Sequence, residues 1–487
     1  MLCHPLRLRN LLKASLLPIV LLIVTISTNG APEGFLDLEV VLQQAREVTS
    51  ERYPDADDVM IDDRIVVRYE TDGRAVTWDD TVMKVLSEKG KNDNRVLSRH
   101  FTESYNRVHY SLVQVIRPDG QILPVDLAKQ SQIMVDPSQM RSNIYDPNSK
   151  ILQVTLPELQ VGDLIRYVVC TEIVKPRVPN TFSDYEVLEY TSPIVNFVYE
   201  VQAPKELPLR RIVLKDQVKD TVAFTEREDG DRVFYRWQGR NIPRMFPEPD
   251  MPPLHTVVQR LLISTVPSWE DISRWYWQVS EPHYAHSPAM QEKVTELCAG
   301  LEDREDKIRA IFRFVSQEIR YMGITVETEA PGYEPHDVQL TFDKRHGVCR
   351  DKAALLVVML RLAGFQAFPV LIHNGPLKDP EVPQPFFNHA ITAVLNDDGS
   401  YLLMDSTDEN TKELFPAYLC HKSYLVARPE GDTLRSSPIS PASVNMMIID
   451  TRASIDDRGN LVGQSSFRFD GINDNAYRGA LARRSPE

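Results

Sequence analysis

Cysteine is scarce in this sequence, five among 487 residues, and one of the five, Cys3, falls in an N-terminal stretch expected to be removed. The other four, Cys170, Cys298, Cys349 and Cys420, are too sparse and widely spaced for a disulfide-stapled scaffold, although an oxidising compartment would permit two bridges. Basic residues are outnumbered. With 55 Lys and Arg against 69 Asp and Glu, the net charge of −14 excludes the phosphate-neutralising surface of a nucleic-acid-binding protein. No glycine-rich stretch reads as a dinucleotide- or phosphate-binding loop, so no cofactor is expected. Beyond residue 26 no apolar run approaches the ~20 residues of a membrane-spanning helix, and no membrane partner is expected for the mature chain. Repeats and low-complexity tracts are missing.

What is present begins with a leader. Arg7, Arg9 and Lys13 precede an apolar run over 14–26, interrupted by Ser15, Pro18 and Thr25 and followed by Ser27-Thr28-Asn29-Gly30-Ala31. This is the layout of a secretory signal peptide over residues 1–30, cleaved after Gly30 or Ala31, and it predicts a periplasmic or secreted protein. A retained membrane anchor is the alternative; the short run and its proline argue against it.

At ~150 residues per domain the length calls for about three domains, and 42% hydrophobic with 25% charged residues describes a soluble globular chain. The fold class expected is α+β. Residues 31–242 read as a β-sandwich-like domain behind a short helix at 35–53, carried by Leu38, Val41, Leu42 and Ala45. Strands near 63–69, 108–116 and 196–201 alternate with turns at Asp72-Gly73, Pro118-Asp119-Gly120 and Gly162-Asp163. Nothing in this region gathers the histidines, cysteines or carboxylates that chemistry would need, so it is assigned binding, docking or shielding. Cys170 reads as a buried core thiol, and Cys298 likewise.

A proline-rich stretch over 242–253 and a strand over 259–264 make up a linker, 243–268, before an α+β core at 269–435. Ser268 caps a helix whose Trp269, Trp275 and Trp277 read as core. A second helix is expected over 305–321, with Ile308, Ile311, Phe312, Val315 and Ile319 on one face. Residues 436–487 read as a partial C-terminal β module with a hairpin at 454–463 and a polar end.

The chemistry centres on Gly347-Val348-Cys349-Arg350-Asp351-Lys352, followed by an apolar run to Gly364. A glycine turn, then a cysteine, then a helix ending at glycine puts the thiol at a helix N-terminus, where unpaired N–H groups and the dipole favour thiolate. Downstream, Asp397-Asp398-Gly399 reads as a three-residue hairpin loop between strands over 389–396 and 401–406. Setting Asn396 opposite Ser400 brings Ala390 opposite Ser406, so His389 and Asp405 share a face as diagonal neighbours ~7–8 Å apart. A histidine oriented by a carboxylate and aimed at a helix-borne cysteine is the nucleophile of acyl-transfer enzymes. Cys349 would attack, His389 would move protons, and Asp405 would orient the imidazole.

Gly347-Val348-Cys349-Arg350-Asp351-Lys352-Ala353, Phe387-Asn388-His389-Ala390 and Leu403-Met404-Asp405-Ser406-Thr407 resemble the three blocks of the transglutaminase-like, papain-related core. The β-rich region resembles the uncharacterised domain that precedes this core in exported bacterial proteins. The resemblance implies Cys349, His389 and Asp405 as a catalytic triad acting on peptide or protein amides, with hydrolysis favoured over cross-linking. It departs at Val348, where bacterial members often carry aspartate. The alternative is a non-catalytic scaffold that retains the fold. A metal site would have to draw on His346, Cys349, His373, His389 and Asp405, but no paired ligand motif appears, and no metal is expected. The loop from Gly375 to Pro385 enters directly at His389 and is placed to wall or gate a cleft.

Overall fold

The structure, a computed structural model, describes residues 36–324, 332–482 and 484. The expected leader lies outside them. Among the described residues no helix is long and apolar enough to cross a membrane.

Alternation builds the β-rich half. Along Leu164–Ile173 the residues Ile165, Tyr167 and Val169 enter one core, leaving Arg166, Val168 and Cys170 on the other face. Eight strands pair in the order Val222–Asp229, Arg232–Ile242, Ile194–Pro204, Asp58–Tyr69, Ala75–Val85, Leu164–Ile173, Asn106–Ile116 and Ile122–Pro124. Every pair is antiparallel except Asp58–Tyr69 with Ile194–Pro204. On one face a three-stranded sheet (Ser183–Val187, Arg260–Ser264, Arg211–Lys215) closes over Tyr69, Phe197, Tyr199 and Trp237. A second (Val96–Thr102, Ser149–Thr155, Ser131–Val135) closes over Val113, Ile165 and Tyr167. The arrangement is sandwich-like. On the opposite face lies helix Leu38–Arg46, shorter than the 35–53 span, with Val41 and Ala45 clustered with Val82, Ile116 and Leu164.

Residues 243–253 form no strand or helix, as their prolines dictate. The chain then returns as Arg260–Ser264, the central strand of the first small sheet. Helix Trp269–Ser280 starts at Ser268, whose hydroxyl oxygen accepts the Asp271 N–H at 3.3 Å, and Trp269 is buried with Ile272, Tyr276 and Phe387. Helix Cys349–Leu362 is buried from Asp351 to Leu360, with apolar residues all round it. It packs between helices and a five-stranded antiparallel sheet ordered Tyr401–Met404, His389–Leu395, Ala367–Ile372, Ser423–Val426, Arg435–Ser436. The fold is α+β, with a β-rich region followed by a helix-and-sheet core.

Two elements differ from the sequence reading. The helix expected over 305–321 runs only from Arg304 to Arg313, opens into a π-turn over Phe314–Glu318, and ends in the short strand Arg320–Tyr321. Lys352 supplies the reason. Its fully buried ammonium donates to the carbonyls of Ser316 (3.2 Å) and Ile319, taking acceptors that a continuing helix would use. The hairpin expected at 454–463 is longer, Met447–Ile455 with Leu461–Phe469, and is followed by helix Ile472–Ala482. The four described cysteines are all free.

Within the large sheet, fully buried Asp80 accepts Arg166 Nε at 3.1 Å and Nη2 at 2.8 Å, together with the Leu36 N–H at 3.2 Å. Arg166→Met strands that carboxylate in the interior and is expected to cost about 3–5 kcal/mol. Urea unfolding checks this as a lower midpoint at unchanged slope.

Candidate active site

Cys349 is the first residue of its helix, and Val348 precedes it in extended conformation (φ −88°, ψ −175°). The sharp turn is not made by Gly347. Arg345 adopts the left-handed conformation, φ 58°, while Gly347 is required for space: a Cβ there would lie 2.7 Å from the Asp351 Cβ. That close approach lets Asp351 fold back. Its Oδ2 accepts the Val348 N–H at 3.0 Å, and its Oδ1 accepts the His336 N–H at 3.0 Å and lies 3.1 Å from His336 Nδ1. Burial pushes the Asp351 carboxyl up, but hydrogen bonding to His336 and the nearby Arg350 charge outweigh it and hold the group below its ordinary value.

The hairpin closes through Gly399, φ 81°, whose N–H reaches Asn396 O at 3.0 Å, while the Asn396 N–H reaches Ser400 O at 2.9 Å. The ladder pairs Leu395 with Tyr401 and Thr392 with Met404, the register that a three-residue loop implies. It stops at Met404. Asp405 then hangs its N–H on Leu414 O at 2.8 Å and turns its carboxylate onto His389, with Oδ2 3.0 Å from Nε2. Oδ2 also accepts the Tyr418 hydroxyl at 2.9 Å. Oδ1 accepts the Thr407 N–H at 3.0 Å and the Thr407 hydroxyl at 2.8 Å. Asp405 is fully buried and His389 nearly so.

With Nε2 engaged, Nδ1 is the nitrogen left to meet the thiol. His389, the Ala390 N–H and Tyr321 lie around the Cys349 thiol and act on its charge. Burial pushes the Cys349 thiol up, but the His389 hydrogen bond and charge overcome it, and the net shift is downward. Burial pushes the His389 imidazole down, yet Asp405 and the thiolate raise it to about 10. Burial also drives Tyr321 and Tyr418 up, so both stay protonated and act as donors, one toward the sulfur and one toward Asp405. The arrangement can hold a thiolate beside an imidazolium at neutral pH.

The surrounding walls are fixed from both halves. In the loop ahead of His389, the Gln384 amide donates to Asp184 O at 2.7 Å and Ile263 O at 3.1 Å, and the Ser264 hydroxyl donates to Pro383 O at 2.7 Å. Asn388 closes the loop by accepting the Asn374 N–H at 2.7 Å and donating to Asn374 O at 3.0 Å. On the other side Ile144–Tyr145 pairs in parallel with Gly323–Ile324, and a Cβ at Gly323 would lie 2.8 Å from Val348 Cγ1.

A family model described as the transglutaminase-like superfamily matches residues 291–406, and one described as a domain of unknown function, DUF3857, matches residues 71–246. The chain joins a DUF3857 domain to a transglutaminase-like core. A search of curated proteins finds no match. Among solved structures the fold is similar to that of a "putative protease" from Parabacteroides distasonis, with TM-score 0.62, 16% identity, 82% of this chain and 78% of that one covered. A "putative cysteine protease" from Cytophaga hutchinsonii aligns at 12% identity and TM-score 0.20, covering 82% of this chain and 91% of that one.

The structure brings together all three residues singled out in the sequence: His389 is hydrogen-bonded to Asp405, and His389 is close enough to Cys349 to shift its thiol. It does not assemble His346 and His373 with them as metal donors. Among the described residues, the one group of His, Cys, Asp and Glu donors within 4.8 Å of one another is His109, Cys170 and Glu172, in the β-rich half. Sequence reasoning passed over that group, and over Tyr321 and Tyr418. Tyr321 ends the span expected as a helix over 305–321, and Tyr418 sits in a single 3-10 turn, Ala417–Leu419, with no periodic signal.

His389→Ala removes the charge that offsets burial of the thiol. The inflection in the pH profile of Cys349 alkylation by iodoacetamide is expected to move up by more than one unit, lowering the rate at pH 7 at least tenfold. Peptide mapping of the labelled site reads the result, and an unchanged profile would refute the ion pair.

Proposed function

We propose that the chain is an exported cysteine enzyme performing acyl transfer on peptide or protein amides, with Cys349 as nucleophile, His389 as acid and base, and Asp405 as the group that orients His389. The observation that carries this reading is the hydrogen bond of His389 Nε2 to buried Asp405 at 3.0 Å, beside a Cys349 thiol that His389 shifts downward. The thiolate attacks the carbonyl carbon, and the carbonyl electrons move onto oxygen, which faces the unpaired N–H groups of the helix's first turn. The His389 imidazolium gives its proton to the departing amine as the C–N bond breaks, leaving a thioester. His389 then takes a proton from water, hydroxide adds to the thioester carbonyl, and the carboxylic acid leaves as the thiolate returns.

Hydrolysis is preferred over cross-linking because water resolves the thioester without a second binding surface for an amine. Export follows from the basic, apolar and small-residue layout of the leader. A scaffold that had lost its chemistry has no need of all three residues, and all three are kept.

A panel of peptides and cell-wall fragments, assayed with and without excess primary amine, tests both steps. Free carboxylic product is expected in either condition, with a thioester adduct trapped by mass spectrometry. Cys349→Ala should abolish turnover, and His389→Ala should lower kcat by about 10²–10⁴-fold. Turnover that survives in Cys349→Ala would overturn the assignment, and an amine adduct as main product would reverse the preference for water.

A further inference from the structure

The β-rich half carries a constellation that the proposed amide chemistry does not use. Strands Asn106–Ile116 and Leu164–Ile173 pair with His109 directly opposite Cys170 and Arg107 opposite Glu172. Directly opposed residues share a face, and so do residues two apart, so His109, Cys170 and Glu172 all project from the same side of the sheet. One ligand atom from each lies within 4.8 Å of the other two. This is the face that Arg166 and Val168 also occupy, opposite the one covered by the two small sheets. Helix Leu38–Arg46 covers that face around Leu164, about 20 Å along the strand from Cys170 at ~3.3 Å per residue.

The three side chains engage nothing else. Among the described residues none of them has a side-chain hydrogen bond, an ion pair or a ring contact. Arg107, although opposite Glu172 in the ladder, forms no ion pair with it. Their exposure is graded: Cys170 is buried, Glu172 intermediate and His109 exposed. Imidazole nitrogen, thiolate sulfur and carboxylate oxygen are the three donor types that bind zinc, and a borderline-soft divalent ion is the species that accepts all three at once. Calcium and magnesium prefer sites made wholly of oxygen, and cuprous copper prefers sulfur without carboxylate.

The geometry points to a divalent transition-metal site of the zinc class at His109, Cys170 and Glu172, with a fourth position open to water on the solvent side. Binding releases the Cys170 thiol proton to solvent and places one sulfur, one nitrogen and one oxygen on the ion. The site bridges two strands far apart in sequence. It does so beside the irregularity between Tyr110 and Leu112, where the ladder shifts register. A metal there clamps the bulged strand to its neighbour and limits the open states of that sheet.

The test uses the full chain in a Cys349→Ala background, which removes the active-site sulfur as a competing ligand. Metal is stripped with a chelator and Co²⁺ is titrated in. One equivalent is expected to produce a near-ultraviolet thiolate-to-cobalt charge-transfer band with the strong visible absorption of four-coordinate cobalt, and Zn²⁺ should displace it. Zn²⁺ should also raise the Tm by several degrees. Cys170→Ala should abolish the band. His109→Ala replaces an exposed residue that has no other partner, and should weaken binding at least tenfold while leaving the far-ultraviolet circular dichroism unchanged. Absence of the band, a band of equal strength in Cys170→Ala, or equal affinity in His109→Ala would each overturn the site. None of these readouts depends on the amide chemistry at Cys349, so either reading can fail alone.

Discussion

The buried ion pair of His389 with Asp405 is the constraint on which the core depends. A carboxylate with no exposed surface is costly unless its oxygens are fully engaged. Here Asp405 receives the imidazole, the Tyr418 hydroxyl, the Thr407 hydroxyl and the Thr407 N–H. Those donors come from the hairpin strand, the loop after it and a later turn, so the charge holds three segments together. The positive imidazole it supports then favours a second charge, the Cys349 thiolate, which desolvation alone would disfavour.

The first turn of the cysteine helix answers that pair from the other side. Each residue after Cys349 ties down a separate wall. Arg350 Nη1 donates to Gly332 O at 2.9 Å, Asp351 collects His336 and Val348, and Lys352 collects Ser316 and Ile319. The Lys352 contact has the furthest reach. By taking the Ser316 and Ile319 carbonyls it ends the preceding helix early, so Arg320–Tyr321 can run as a strand beside His346–Gly347, which leads directly into Cys349. Burial lowers the Lys352 ammonium to about 8, the cost of making this contact with a charge.

This division explains what the sequence could and could not reveal. The hairpin register, the Ser268 cap and the Gly364 stop were legible because each is decided within a few residues, by loop length, a side-chain acceptor or a left-handed φ of 90° at Gly364. The truncated helix was not, because its apolar period continues to Ile319 and the ammonium that interrupts it comes from a distant residue. In the sequence Gly347 looks like the turn, whereas the turn falls at Arg345 and the glycine makes room for Asp351; only packing distinguishes these uses. His109 and Cys170 face each other through a strand register that no local pattern encodes. Tyr418 joins Asp405 from a loop whose path is set by tertiary packing.

Val348 can now be judged by its surroundings. Its N–H is held by the Asp351 carboxylate, and its side chain packs where a Cβ at Gly323 would lie 2.8 Å from Cγ1. An aspartate in its place would put a second negative charge next to Asp351 and directly before the sulfur. Like charge disfavours the thiolate, and the carboxylate would have to be buried against Gly323 without a donor of its own. Valine avoids both costs. Valine at 348 therefore favours the charged thiol, because the helix start already has its acid at Asp351, three residues on, where it accepts the Val348 N–H.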